Sequence, residues 1–89
     1  MISRETKIIN KLGLHARAAA KFVTMASQYS CDVKLVLKGQ NVNGKSIMGV
    51  MMLAASQGTD LTLITDGDDE STAIDALNEL INNRFGEEE

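Results

Sequence analysis

Apolar and polar positions alternate at the start of the chain, shift to helical spacing, and then alternate again. Over residues 2–9, Ile2, Thr6 and Ile8 share one face, while Ser3, Glu5 and Lys7 point to the other. A period of two predicts a strand with one side on a core. From about Ala16 to about Gln28 the period changes. Ala19, Phe22, Val23 and Ala26 fall at i, i+3, i+4 and i+7, Tyr29 extends the stripe, and Lys21, Thr24 and Gln28 turn to solvent. That spacing predicts a first helix with one buried stripe. Alternation returns in Val33, Leu35 and Leu37, and Lys38-Gly39-Gln40 turns the chain into a short third strand at Asn41-Val42-Asn43. The Asn43-Gly44-Lys45 turn delivers Ser46, an N-cap residue ahead of a short helix. There Ile47, Val50, Met51 and Ala54 make the expected inward stripe. Met48 and Met52 lie one turn apart on the other side, either at an interface or at a ragged core edge. Gly49, in mid-helix, costs about 1 kcal/mol relative to alanine, which a flat, closely approached surface would explain. Leu61, Leu63 and Thr65 form the inward face of a fourth strand. After the Asp66-Gly67-Asp68 turn, Asp69 is the expected N-cap and Glu70 suits the first helical turn. Ala73, Ile74, Leu77, Leu80 and Ile81 line one face of the last helix, which stops near Phe85-Gly86. Glu87-Glu88-Glu89 reads as a solvated, frayed tail.

The order is therefore βαββαβα. One-sided helices and alternating strands are accommodated most simply by one sheet with the helices on a single face. The expectation is an α+β, two-layer, open-faced sandwich with three helices on one face, a single domain over residues 1–89. Composition narrows the function classes. Phe22, Tyr29 and Phe85 are the only aromatics, too few for a base-stacking platform. Nine cations against twelve anions give a net charge of −3, so nucleic acid is not an expected partner. Cys31 stands alone, which excludes an internal disulfide and a multi-cysteine metal site, and it is expected half-buried at a strand start. No metal or cofactor is expected. No apolar run reaches the length of a membrane span and no signal peptide opens the chain, so a cytoplasmic protein with no membrane partner is expected.

Candidate chemistry concentrates in Asn10-Lys11-Leu12-Gly13-Leu14-His15-Ala16-Arg17-Ala18, where the first strand gives way to the first helix. A helix start leaves backbone N–H groups without partners, here those of Ala16, Arg17 and Ala18, and its dipole attracts anions, phosphate above all. The positive helix end disfavours a proton on the ring of His15, the only histidine, and a neutral imidazole nitrogen is a nucleophile. The alternative is that His15 merely caps the helix. Arg17 adds a planar donor fork suited to phosphate oxygens. Ala16 and Ala20, one turn apart, are small enough to let a partner approach, though plain helix propensity would also account for them.

Gly13-Leu14-His15-Ala16-Arg17, followed later by Lys45-Ser46-Ile47-Met48-Gly49-Val50-Met51, resembles the histidine-containing phosphocarrier (HPr) family of the bacterial phosphotransferase system. The resemblance runs from the first strand to the last helix. It implies a four-stranded antiparallel sheet of order 1-4-2-3, which the periodicities do not show. It further implies that His15 carries a phosphoryl group, on Nδ1, that Arg17 holds its oxygens, and that Ser46 is a regulatory phosphorylation site. Ala16, Ala20, Met48, Gly49, Met51 and Met52 would form a partner-facing surface, to which both helix starts would belong. The implied partners are an enzyme I-type donor charged from phosphoenolpyruvate, enzyme IIA-type acceptors in sugar uptake and regulation, and a serine kinase or phosphorylase acting on Ser46. The protein would be a monomeric carrier rather than a self-standing catalyst. One residue departs from the family pattern: Ala18 stands where proline is usual, which leaves the helix start intact but less preset. An adaptor controlled by Ser46 alone is the competing reading. A hydrolase fits poorly, because His15 has no orienting carboxylate in its own stretch.

Overall fold

Four strands, β1 (Ile2–Lys7), β2 (Asp32–Leu37), β3 (Gln40–Asn43) and β4 (Asp60–Asp66), pair in the order β1-β4-β2-β3. Every pairing is antiparallel, and the order is the one the family resemblance implies. The structure, a computed structural model, describes all of residues 1–89. Three helices join the strands: α1 (Ala16–Ala26), α2 (Ile47–Met52) and α3 (Glu70–Asn82), followed by a 3-10 turn at Arg84–Gly86.

Register places the apolar residues of the strands on one face. Leu35 lies opposite Leu63 on one side and Val42 on the other, and Thr6 lies opposite Leu61. On the reverse face Ser3, Glu5, Lys7 and Lys34 are exposed. The helices cover the apolar face, with α3 over β1 and β4 and α1 packed between α2 and α3. Phe22, Leu35, Leu63, Leu77 and Phe85 are wholly buried there. Each contributes about 1.5–3 kcal/mol by leaving water.

Three expectations change. First, the inward stripe of α2 does not hold: Ile47 is 44% and Met51 39% exposed, and Ala54 is also at the surface. The helix has only six residues, and Val50 alone among them is buried. The chain leaves it through Leu53 and Ala55, which enter the core in place of Met51 and Ala54. Second, Asp69 precedes α3 without capping it. Its carboxylate accepts instead from the backbone N–H of Ser30 and of Cys31, both at 2.9 Å, and so ties the start of α3 to the start of β2. Third, β1 ends at Lys7; Ile8 stays buried, but its N–H donates to Thr59 O at 2.9 Å, outside the β1–β4 ladder.

After α3 the backbone turns left-handed, with φ +58° at Arg84, +55° at Phe85 and +79° at Gly86. For the two non-glycine residues that conformation costs about 1–2 kcal/mol each. Burial of the Phe85 ring offsets the cost. The turn sends the following residues back toward the start of α1.

Candidate functional site

Gly13 builds the approach to α1. Its φ is +67°, and a Cβ there would stand 2.4 Å from Ala55 O. That close passage lets Leu14 N–H donate to Ala55 O at 2.8 Å. Asn10, wholly buried, locks the same segment from inside: its Nδ2 donates to Gly13 O at 2.8 Å. The chain then enters α1 at His15, which is extended at φ −72°, ψ 176° and makes no side-chain cap bond. The capping alternative for His15 is thereby removed. Its carbonyl accepts from Ala19 N–H, whereas the N–H groups of Ala16, Arg17 and Ala18 have no acceptor within the chain. Ala16 and Arg17 are exposed; the methyl of Ala18 is wholly buried, so only its backbone faces the site chemistry. Arg17 makes no ion pair and no side-chain hydrogen bond, and it borders an open depression with Lys11, Lys21 and Glu87.

The expectation of a frayed acidic tail is overturned. Glu87 reaches the His15 ring, with Oε2 against Nε2, and the two side chains are 13% and 27% exposed. Its other oxygen accepts from Asn10 Nδ2 at 2.9 Å. Burial alone would push the Glu87 carboxyl up, but the bonds from Asn10 and His15, with the charge of Lys21, hold it below its ordinary 4.5. Neighbouring bonds anchor the segment: Lys21 Nζ donates to Phe85 O at 2.8 Å, and Lys11 N–H to Glu89 O at 2.9 Å. Attraction between this acidic run and the cations Lys11 and Lys21, after the left-handed turn, is the physical reason for docking. His15 Nδ1 is left without a partner. Glu87 was not expected at the site, since nothing in local spacing connects residues 72 apart, and Asn10, although inside the candidate stretch, had no expected role there. A carboxylate from the far end of the chain thus meets the His15 ring.

Ser46 does cap α2: its Oγ accepts from Gly49 N–H at 3.1 Å. Lys45 Nζ donates to Tyr29 O at 2.7 Å, so the start of α2 lies beside the end of α1. The Leu14–Ala55 bond puts the end of α2 beside the start of α1. The two helices therefore run antiparallel, and His15 and Ser46 stand at opposite ends of the pair. Between them lies an exposed apolar strip, with Met48 at 71% and Met52 at 67% exposure beside Ile47 and Met51. Gly49 and Ala20 are half-buried. No three His, Cys, Asp or Glu side chains are placed to hold a metal ion, and no helix is long and apolar enough to cross a membrane.

Comparison with known proteins agrees with this geometry. The family described as PTS HPr component phosphorylation site matches residues 2–83. The phosphocarrier protein HPr of Cupriavidus necator is 58% identical over 89 residues, covering 100% of both chains. That of Pseudomonas aeruginosa is 59% identical over 90 residues, again covering 100% of both. The crystal structure of HPr-C-His from Thermoanaerobacter tengcongensis has the same fold, with a TM-score of 0.96 and 48% identity across 100% of each chain. Since sequence and fold agree from β1 through α3, the chain belongs to the HPr family of phosphotransferase-system phosphocarriers.

Proposed function

We propose that this protein accepts a phosphoryl group on His15 Nδ1 from an enzyme I-type donor charged by phosphoenolpyruvate. It passes the group to enzyme IIA-type acceptors in the cytoplasm, acting as one 89-residue monomeric domain. One observation carries the reading: His15 stands at the start of α1 with Nδ1 unpartnered beside three free N–H groups. Those groups offer the phosphoryl oxygens fixed donors, and phosphoryl transfer needs positioning and charge stabilisation above all. Arg17, unpaired and exposed, supplies a mobile guanidinium that can follow the group as it arrives and departs. Met48, Met52 and their neighbours on α2, with Ala16 and Ala20 on α1, are the surface on which donor and acceptor dock in turn. Ser46 is the regulatory position, modified by a serine kinase and reset by a phosphorylase. Phosphate there keeps a helix-start bond to Gly49 N–H, yet sets a dianion beside Met48 that a partner must desolvate.

The test is incubation with phosphoenolpyruvate and an enzyme I-type donor, followed by intact mass. One acid-labile phosphoryl group is expected, absent in His15→Ala. Its retention in that variant would show that another residue accepts the group.

A further inference from the structure

We propose that Glu87 is a positioning residue for His15: its carboxylate holds Nε2–H, so that the ring presents Nδ1 as the nucleophile. This rests on the carrier reading above. Neutral imidazole has one donor nitrogen and one acceptor nitrogen, and an ionised carboxylate only accepts. A ring facing Glu87 Oε2 through Nε2 therefore carries its proton there, and the lone pair sits on Nδ1. The carboxylate is itself held. Asn10 Nδ2 binds Oε1 at 2.9 Å and Gly13 O at 2.8 Å. Asn10 is wholly buried, and its Oδ1 has no partner. That amide is oriented for its two donor bonds at the expense of its acceptor. Phe85, buried, and the bonds from Lys21 and Lys11 fix the chain on either side of Glu87.

The transfer step balances without a proton leaving the pair. The Nδ1 lone pair forms the bond to phosphorus, and the donor's bond to phosphorus breaks, its electron pair remaining with the donor. The proton stays on Nε2, so the ring gains one positive charge beside the Glu87 carboxylate. Onward transfer reverses the change. Glu87 thus acts through the ring, without touching the phosphoryl group.

Two readouts on the full chain separate this role from a structural one. Imidazole 15N spectra of the unphosphorylated protein should show only the Nε2–H tautomer in wild type, with a slowly exchanging Nε2 proton. Glu87→Ala should populate the Nδ1–H tautomer and lose the slow exchange, with an unchanged thermal midpoint. Glu87→Gln, whose amide oxygen still accepts, should keep the tautomer while lacking the charge. In donor-dependent phosphorylation, kcat for Glu87→Ala should fall about tenfold, the lower end for losing an orienting partner, with KM for the donor unchanged. Glu87→Gln should fall between the two. An unchanged ring spectrum, or a kcat for Glu87→Ala equal to or above wild type, overturns the proposal. If wild type takes up no phosphate while its Nε2–H signal is intact, the carrier reading fails instead, and the transfer role of Glu87 falls with it.

Discussion

Arg17 and Ser46 are polar side chains at the starts of two helices, and the structure holds them differently. Ser46 already uses its hydroxyl, accepting from Gly49 N–H, whereas Arg17 is bound to nothing. An unpaired guanidinium beside an open helix start has little to do for the fold. Arg17→Ala should therefore leave the thermal midpoint unchanged and slow phosphoryl transfer about ten- to a hundredfold, the value of one charge-assisted contact. Stopped transfer reactions in both directions measure this, and unchanged rates would make Arg17 a solvated helix residue. Ser46→Asp should slow His15 phosphorylation about tenfold relative to Ser46→Ala, and less so at high salt. Because the two residues stand at opposite ends of the α1–α2 pair, the expected effect runs through the proposed docking surface rather than through the imidazole. Equal rates for the two variants at low salt would reduce Ser46 to a cap.

At the scale of elements, α2 shows what hydrophobic periodicity can and cannot tell. Ile47, Val50, Met51 and Ala54 have helical spacing, yet Val50 alone of the four is buried. A stripe argument assumes a helix long enough to lie along a core, and six residues are too few. The reading of Met48 and Met52 as exposed does hold, and the strip is wider than their spacing alone suggested. Met48→Glu or Met52→Glu should weaken docking to donor and acceptor while leaving stability within about 0.5 kcal/mol, as for other surface substitutions. Binding titrations alongside urea unfolding decide it; normal docking with a large loss of stability would contradict the assignment. Gly49 fits the same surface. A Cβ there would meet Asn43 O and the Ser46 side chain at 3.4 Å, so packing alone does not require glycine.

At the scale of the whole molecule, distant segments are joined by carboxylates that local patterns do not reveal. Strands and helices were legible because each declares itself by its own period. The sheet order was legible only through the family resemblance, since periodicity says nothing of which strands adjoin. His15, Arg17 and Ser46 could be found because their motifs are contiguous. Glu87, and its bond to Asn10, could not, because their meeting depends on a left-handed turn around buried Phe85. Asp69 is a second such join, and it makes stability depend on pH. The Ser30 N–H bond, opposed by burial and aided by Cys31, holds its carboxyl below the ordinary 3.8. The folded state therefore binds that proton less readily than the unfolded chain does. Its stabilisation is complete above the ordinary value and is lost as pH falls through the lowered one. Glu70, which accepts from Gly67 N–H, shifts the same way. Asp69→Asn should be less stable than wild type at pH 7 and lose less on acidification, so that urea unfolding curves converge at low pH; parallel pH profiles would contradict the clamp. The central claim is that this chain both receives and relinquishes a phosphoryl group at His15. Its most direct test is a chase of 32P-labelled phosphoprotein, purified from donor and phosphoenolpyruvate, into an enzyme IIA-type acceptor. The account predicts that label leaves His15 and appears on the acceptor in equal amount; label that stays on this protein, or is released only as free phosphate, would contradict it.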